Sequence, residues 1–286
     1  MLWQNSPSVI IGKHQNPLKE VNLEYCKNNN IPIIRRISGG GTVYHDLGNI
    51  NYSFIDLGKQ ESLVNFAKYS QPILDVLINM GVDAKLEGKS DLKINGFKFS
   101  GNASHVHRNK VLHHGTLLFK SELNILQESI KITKGNISDK AVNSNRSQVG
   151  NISDHLKQEM SINEFKLQLF KHIQKLFPKA KAIDFTEAQT NEIVKLMNEK
   201  YLSWEWNFGY SPRYFVNSSI EINGEKLTFE TEVYKGFIHK INSSSAIPKE
   251  LKESIETVIG KQHVEGIIHS LLSNSNLNHL IMKILF

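Results

Sequence analysis

The chain has 286 residues, 40% hydrophobic and 22% charged, a composition typical of a globular protein with one large domain or two ordinary ones. Its 34 Lys and Arg residues exceed its 28 Asp and Glu residues and give a net charge of +6, which favours an anionic partner. The sequence contains no basic tract interleaved with aromatic residues, so we do not expect that partner to be a nucleic acid. Because Cys26 is the single cysteine, an internal disulfide and a cysteine-built zinc site are excluded. The sequence has no signal-peptide pattern at its start, and no apolar run approaches the ~20 residues that a membrane span needs, so we expect a cytoplasmic protein.

The first predicted elements are strands on either side of a run of glycines. Residues 8–12, SVIIG, have the pattern of a short buried strand, and residues 31–37, IPIIRRI, predict a second. Residues 48–57 alternate between apolar side chains at even positions and polar ones at odd positions up to residue 54, which predicts a third strand with one buried face. The glycine run at 39–41 therefore joins strand to strand. Cys26 lies in a helical pattern before it, and we expect a core residue there, not a nucleophile.

A helix and a hairpin come next. Residues 62–82 have helical spacing, and residues 113–119 predict a further strand. Between them, Asn95-Gly96 within residues 91–101 is typical of a two-residue hairpin turn.

The next predicted helix covers residues 161–177. Ser161 and Glu164 have the spacing of a capping box, an apolar face follows, and Pro178 ends the pattern.

A second unit begins near residue 187. Its pattern predicts a helix to about Tyr201, hairpins around Asn223-Gly224 and Lys235-Gly236, and helices after Pro248. Strands and helices do not alternate regularly, so we predict an α+β fold with two domains, residues 1–180 and 187–286.

The glycine run, in RRISGGGTVYHDLGN, has the composition of an anion-binding loop. It lacks the Gly-Lys-Ser/Thr of a P-loop, and it precedes a strand-like segment where a dinucleotide fingerprint would open a helix. Its backbone N–H groups can still approach an anion closely, and Arg35 or Arg36 could clamp a phosphate. The alternative is a glycine-rich turn with a structural role only.

Lys98, in FKFSGNAS, is a second candidate. A regular strand would place it on the face opposite Phe97 and Phe99. The small residues that follow leave room for a ligand, although a surface lysine is the plainer interpretation.

Two groups of polar residues flank Lys98. Asp91 could contribute the carboxylate that Mg²⁺ bound to phosphates commonly uses. Four histidines raise a zinc hypothesis, which we do not favour because no third ligand has convincing spacing. These histidines are His105, His107, His113 and His114.

These segments, in this order, resemble the lipoate–protein ligase family of the biotin and lipoate ligase superfamily. The matching motifs are PSVIIGKHQNP, RRISGGGTVYHDLGNINYSF, DLKINGFKFSGNAS, HHGTLL, the KG at 134–135 with NRSQV at 145–149, and SWEWNFG. The resemblance covers about residues 2–215, and the remainder more loosely. It implies a mixed sheet flanked by helices that carries the active site, and a small α+β C-terminal domain.

The resemblance also implies the reaction. Lipoate and MgATP give lipoyl-AMP and pyrophosphate, and the lipoyl group then passes to a lysine of a lipoyl domain, in the 2-oxoacid dehydrogenase complexes or the glycine cleavage H protein. By motif, Lys98 matches the active-site lysine and Asp91 the metal-handling segment. The positions implied to bind nucleotide, adenylate or lipoate are Arg36, Gly39, Gly40, Gly41, Thr42, Val43, Tyr44, Asp91, Lys98, Ser100, Gly101, Ala103, His114, Lys134 and Gly135.

Two departures leave alternatives open. The resemblance implies a strand and a helix before the segment that matches LWQNSP in most family members, and the sequence starts at that segment, so we expect a shortened form. Ser90 stands where many relatives have asparagine. The same motifs resemble mitochondrial lipoyltransferases, which use lipoyl-AMP or a lipoylated protein without activating free lipoate. A third possibility is a truncated protein that binds lipoyl adenylate without catalysis.

Overall fold

The computed structural model describes residues 1–58, 64–131, 136–222, 224–272 and 277–286. These residues combine mostly antiparallel sheets with flanking helices, which confirms the predicted α+β class. The chain divides into two compact units. The first consists of Met1–Lys13, Val21–Lys131 and Ser144–Val194, and the second of His14–Glu20, Ile132–Asn143 and Lys195–Phe286.

The strands follow one another along the chain in both units. They are β1 (Leu2–Trp3), β2 (Ser8–Ile11), β3 (Ile33–Arg35), β4 (Val43–His45), β5 (Asn49–Leu57), β6 (Ala84–Glu87), β7 (Asp91–Ile94), β8 (Phe97–His107), β9 (Lys110–Leu118), β10 (Ile137–Asp139), β11 (Tyr214–Ile222), β12 (Glu225–Tyr234) and β13 (Phe237–Ser243).

The α-helices are α1 (Pro17–Glu20), α2 (Leu23–Asn28), α3 (Phe66–Asn79), α4 (Leu123–Ser129), α5 (Ile162–Leu176), α6 (Glu187–Leu196), α7 (Lys249–Val258), α8 (Glu265–Leu271) and α9 (Asn278–Leu285). The predicted helix at 161–177 is confirmed as α5, and both hydrogen bonds of its capping box are present. The helix predicted at 62–82 is shorter in the structure, because α3 begins after its N-cap Asn65 and ends at Asn79; residues 62 and 63 of the prediction lie outside the described residues.

The first unit contains a six-stranded antiparallel sheet in the order β1-β5-β9-β8-β7-β6. One face packs against α3 and α5, where Phe119 stacks on Phe165 with ring centroids 4.7 Å apart. In the strand predicted at residues 48–57, the apolar side chains of Ile50 and Tyr52 are buried as expected, but the polar side chains on the opposite face are not exposed to solvent as the alternation predicts. Asn49 and Asn51 on the other face are also buried, and the Asn49 side-chain amide donates to Asn51 Oδ1 at 3.1 Å.

A smaller three-stranded sheet, β3-β2-β4, carries the glycine run between its outer strands. β2 pairs with β3 in parallel and with β4 antiparallel. Val9, Ile11 and Tyr44 pack with Cys26 of α2 in one buried cluster. Cys26 is 1% exposed and burial raises the pKa of its thiol, which confirms that it belongs to the core.

The predicted hairpin at Asn95-Gly96 is confirmed, with positive φ at both residues. β8 is not a regular strand, however. Lys93 pairs with Lys98 and Leu92 with Ser100, so that Phe99 is an extra residue in a β-bulge. The bulge buries Phe99 and leaves Phe97 42% exposed, so the alternation that would have set both phenylalanines opposite Lys98 does not apply.

The second unit has a four-stranded antiparallel sheet, β10-β11-β12-β13, with a core shared with α7, α8 and α9. The predicted turn at Lys235-Gly236 is confirmed by positive φ at both residues. The other predicted turn, at Asn223-Gly224, includes Asn223, which lies outside the described residues. Ile222 and Glu225, which flank this turn, form a strand pair. The helices predicted after Pro248 are confirmed. Within the described part of the chain, no helix combines the length and apolar character that crossing a bilayer requires.

Candidate active site

Arg36 holds the glycine run in its conformation. Its Nη2 donates to the carbonyl oxygens of Gly39 and Gly41, each at 2.7 Å, and its Nη1 donates to Ile10 O at 3.0 Å. Its Nε donates to Ser38 Oγ at 3.1 Å. The guanidinium therefore binds the loop itself, and the carbonyl oxygens that it occupies are turned away from any ligand. Such a loop offers its N–H groups to an anion.

The two arginines before the glycines have different positions. Arg35 is 0% exposed and its Nη1 donates to the carbonyl oxygens of Gly12 and Lys13. Arg36 is partly buried, and desolvation lowers the pKa of its guanidinium to about 10. With that pKa, Arg36 remains a cation at neutral pH, and both arginines direct their described hydrogen bonds into the protein.

The loop conformation depends on the absence of side chains. Gly40 has φ of +87°, which L-residues rarely adopt, and a Cβ there would lie 3.2 Å from Arg36 Nη2. A Cβ on Gly41 would lie 3.0 Å from Ser144 Oγ, which also accepts a hydrogen bond from the backbone N–H of Thr42 at 2.9 Å. The segment that begins at Ser144 therefore rests directly on the loop.

Lys98 forms an ion pair with Asp91 across the hairpin, with its Nζ 2.9 Å from Oδ1. The two side chains are 22% and 23% exposed, so the ammonium lies at the border of solvent. The lysine side chain extends over Gly101, where a Cβ would lie 3.3 Å from Cε and 3.4 Å from Nζ. The glycine thus gives Lys98 the space to lie along the sheet.

The segment from Ser144 to Gly150 connects Lys98 with the glycine loop. The backbone N–H of Lys98 donates to Gln148 O at 2.8 Å, and the N–H of Gly150 donates to Lys98 O at 3.1 Å. Val149 forms a parallel bridge with Lys98. Because the same segment contacts Gly41 and Thr42 through Ser144, the two candidate binding elements are fixed relative to each other.

Small side chains line one face of β8 and β9 between these elements. Ala103 pairs with His114, and the N–H of Gly101 donates to Thr116 Oγ1 at 3.2 Å. A Cβ on Gly40 would lie 3.8 Å from the Cβ of Ala103, so the glycine loop lies over this face. The face is bounded by the loop amides at one end and the Lys98 ammonium at the other, an arrangement suited to an elongated anionic ligand.

The amino-acid sequence matches a known family over more than half of the chain. Residues 1–174 match the model described as "Lipoyl protein ligase A/B catalytic domain". The chain belongs to this family. The "Lipoate-protein ligase LplJ" of Bacillus subtilis is 36% identical over 283 residues, 98% of this chain and 86% of that protein.

Two solved structures extend the similarity to the fold. One is described as "a bi-partite lipoate protein ligase and its E2 lipoyl domain from Thermoplasma acidophilum", with a TM-score of 0.63, 27% identity, and coverage of 73% of this chain and 83% of that one. The other is a "lipoate-protein ligase A bound with ATP", with a TM-score of 0.59, 27% identity, and coverage of 73% and 85%. Both of these similar structures are described as lipoate–protein ligases, and the second has ATP bound.

Some positions implied by the family resemblance lie away from the open face of β8 and β9. Tyr44 is 1% exposed within the core, and burial with the nearby Asp46 carboxylate raises the pKa of its phenol to about 12. Val43 pairs with Ile10 in the small sheet. The side chain of Ser100 lies on the opposite face of β8 from Gly101 and is 1% exposed. Lys134 and Gly135 lie outside the described residues.

The two adjacent histidines of β9 have different surroundings. His113 is 0% exposed, stacks on Tyr69 at 4.9 Å, and has its pKa lowered to about 4 by burial. His114, on the other face of the strand, has its Nε2 2.6 Å from Ser38 Oγ. Among the described residues no group of three or more His, Cys, Asp or Glu side chains could hold a metal ion.

A network on the opposite face supports the site, and no local sequence signal indicates it. The Tyr52 hydroxyl donates to Asn102 Oδ1, and the Asn102 amide donates to Ser90 O at 2.9 Å. Gly115 lies directly beneath this pair. A Cβ there would clash with Asn102 Oδ1 and lie 2.7 Å from Tyr52 Cε1. The network thereby ties β5, β8 and the turn before Asp91 together.

Gly115→Ala is therefore expected to destabilise the first unit by about 3 kcal/mol, since overpacking a rigid core displaces buried partners. Urea unfolding measured by circular dichroism checks this value. Gly266→Ala is the control, because Gly266 lies in α8 and a Cβ there would meet nothing within 4 Å. Equal free energies of unfolding for the two variants would contradict the close contact of Gly115 with Asn102 and Tyr52.

Proposed function

We propose that this protein is an ATP-dependent lipoate–protein ligase that forms lipoyl-AMP and transfers the lipoyl group to a lysine of a lipoyl domain. The observation that carries the proposal is one face of the β8–β9 sheet. It is bounded by the amides of the Gly39–Gly41 loop and by the Lys98 ammonium, and the segment from Ser144 to Gly150 joins these two elements. Membership of the lipoate ligase family supports the same substrates.

The first half-reaction brings two anions together. A carboxylate oxygen of lipoate attacks the α-phosphorus of ATP, a new O–P bond forms, and the bond to the pyrophosphate oxygen breaks. Negative charge increases on the phosphate oxygens as this happens, and fixed cations and N–H dipoles lower the barrier. Lys98 supplies the cation, and the glycine loop supplies the dipoles in a conformation that Arg36 has already organised.

Asp91 would be the protein ligand for Mg²⁺. Its Oδ1 forms the ion pair with Lys98, and the side chain is 23% exposed. One carboxylate fits the manner in which Mg²⁺ binds nucleotide phosphates, where phosphate oxygens and waters complete the octahedron. When bound, the ion would neutralise charge on the phosphates. Lys98 would then have the substrate oxygens as alternative partners to Asp91.

The second half-reaction transfers the acyl group. The amine of an acceptor lysine attacks the acyl carbon of lipoyl-AMP, the C–O bond to phosphate breaks, and AMP leaves while the amine loses a proton. Lys98 and the loop amides are placed to stabilise the oxyanion and the departing phosphate. Lys98 acts as a charge throughout and is not itself acylated. The proposed acceptors are lipoyl domains of 2-oxoacid dehydrogenase complexes and the glycine cleavage H protein, in keeping with the E2 lipoyl domain named with a related ligase.

The deciding experiment is lipoate-dependent exchange of labelled pyrophosphate into ATP, with Mg²⁺ and without an acceptor protein. A ligase must catalyse this exchange, since adenylation is reversible and needs no acceptor. Omitting lipoate serves as the control and should abolish the exchange.

The same assay distinguishes the transferase alternative, which the motif resemblance to mitochondrial lipoyltransferases favours. Absence of exchange, together with transfer from added lipoyl-AMP to an acceptor lysine, would establish a transferase. Absence of both activities would leave a protein that only binds the adenylate.

A further inference from the structure

The hydroxyl of Ser38 lies between a cation and an imidazole. Ser38 is 1% exposed, and its Oγ lies 3.1 Å from Arg36 Nε and 2.6 Å from His114 Nε2. Within the ranges that the structure covers, this hydroxyl has no further hydrogen-bond partner. Serine and histidine are 76 residues apart in the chain, and the fold brings them together beside the glycine loop.

The direction of both hydrogen bonds follows from the chemistry of the three groups. A guanidinium can only donate, so Ser38 Oγ accepts from Arg36 Nε. The hydroxyl has one proton of its own, and a buried donor needs an acceptor, which here is His114 Nε2. Nε2 is therefore unprotonated. Burial and the neighbouring Arg36 lower the pKa of His114 to about 4, so the ring is neutral at neutral pH and its single proton is on Nδ1.

The Nδ1–H group of His114 has no acceptor among the described residues. The ring is partly exposed and lies on the face of the sheet that Ala103 shares, next to the glycine loop. His45, which is also close to Arg36 and His114, has its pKa lowered to about 3 mainly by burial, so it adds no positive charge. His114 thus presents one hydrogen-bond donor to the open face and cannot act there as a base.

We propose that Ser38 is a positioning residue that holds His114 in the Nδ1–H tautomer, and that His114 donates this hydrogen bond to an oxygen of the bound substrate. The inference rests on the proposed function for the identity of that substrate, an acyl adenylate or its precursors. An oxygen acceptor could come from the carboxylate of lipoate or from the phosphate or ribose of the nucleotide. In either case, the site prefers an acceptor at this position and rejects a donor.

The tautomer is measured directly by nitrogen NMR on the free protein labelled with ¹⁵N-histidine. There are 12 histidines, and the His114→Asn variant identifies the His114 signals by their loss. The wild-type protein should give a protonated, pyrrole-type Nδ1 and an unprotonated Nε2 at neutral pH. Ser38→Ala should move the two signals towards a mixture of tautomers. Observation of His114 with its proton on Nε2, or with both nitrogens protonated, would overturn the proposal.

Ser104→Ala provides a matched control. Ser104 Oγ lies 3.1 Å from Nδ1 of the adjacent His113, so the variant removes a serine–imidazole contact of the same type on the other face of β9. The His114 signals should be unaffected by it. If Ser104→Ala changes them as much as Ser38→Ala does, the effect of Ser38 is a general loosening of the strand and the positioning role is refuted.

Titrations with AMP and with lipoate, each alone, identify the source of the acceptor oxygen. His114→Leu should weaken binding of the contacted ligand by about 10-fold, the value of one hydrogen bond. His114→Asn, whose side-chain amide can replace the Nδ1–H donor, should restore most of the affinity. Equal affinities of wild type and His114→Leu for both ligands would overturn the donor role. Failure of wild type to bind either ligand would instead refute the proposed function, while the tautomer is decided by the free protein alone.

Discussion

Replacing Lys98 by alanine should reduce the rate of lipoylation by a factor of ~100 or more, corresponding to about 3 kcal/mol of transition-state stabilisation. The ammonium lies at one end of the open face of β8 and β9, and the Arg36 guanidinium beside the glycine loop donates to the loop carbonyls. The loss should affect both half-reactions, since each increases charge on oxygens near the same phosphate. Single-turnover measurements of adenylation, and of transfer from added lipoyl-AMP, separate the two effects.

The fold should survive this substitution. The ion pair of Lys98 with Asp91 is partly exposed, and such pairs contribute about 0–1 kcal/mol to stability. Lys93→Ala is the matched control, because Lys93 pairs with Lys98 across the hairpin and forms its own ion pair with Glu87 at 2.9 Å. Lys98→Arg should recover only part of the activity, since a planar guanidinium does not occupy the position of an ammonium. Near-normal lipoylation by the alanine variant would remove Lys98 from the catalytic assignment.

Elements with local signals were predicted well from the sequence. The Asn95-Gly96 turn needs two positive φ angles, and the capping box at Ser161 needs a serine and a glutamate three residues apart, so a few adjacent residues determine each structure. β3 before the glycine run and β5 after it follow likewise from their patterns of apolar residues, whereas β4, which directly follows the run, has only a strand-like composition. These signals also suffice to place Lys98 on the returning arm of a hairpin.

The remaining features depend on contacts between distant segments. The bulge at Phe99 follows from the pairing of β8 with β7, which strand alternation alone does not predict. Composition suggests Arg35 or Arg36 as a phosphate clamp, but it does not indicate the hydrogen bonds that Arg36 donates to the carbonyl oxygens of Gly39 and Gly41 in its own loop. The contact of Ser38 with His114 likewise requires the small sheet and the large one to be in place.

Gly40→Ala and Gly41→Ala should each weaken binding of a non-hydrolysable lipoyl adenylate analogue by about 10-fold or more, because both change the loop conformation that directs the N–H groups. At Gly40 the cause is the φ of +87°, which costs an alanine about 1–2 kcal/mol. At Gly41 the cause is the contact with Ser144, which must move and would carry with it the segment that holds Lys98. Calorimetric titration measures the affinity, and thermal unfolding measures the accompanying loss of stability.

Two further substitutions separate strain from ligand contact. Gly224→Ala introduces an alanine at φ of +80° with nothing within 4 Å, in a hairpin of the other unit, so it should lower stability as Gly40→Ala does and leave the affinity for the adenylate unchanged. At Gly39 an added Cβ also meets nothing within 4 Å of the protein. A loss of affinity in a stable Gly39→Ala variant would therefore come from the ligand itself, whose phosphate must approach the backbone closely. A folded Gly41→Ala variant that binds the analogue as tightly as wild type would instead mean that the glycine run is only a turn between β3 and β4.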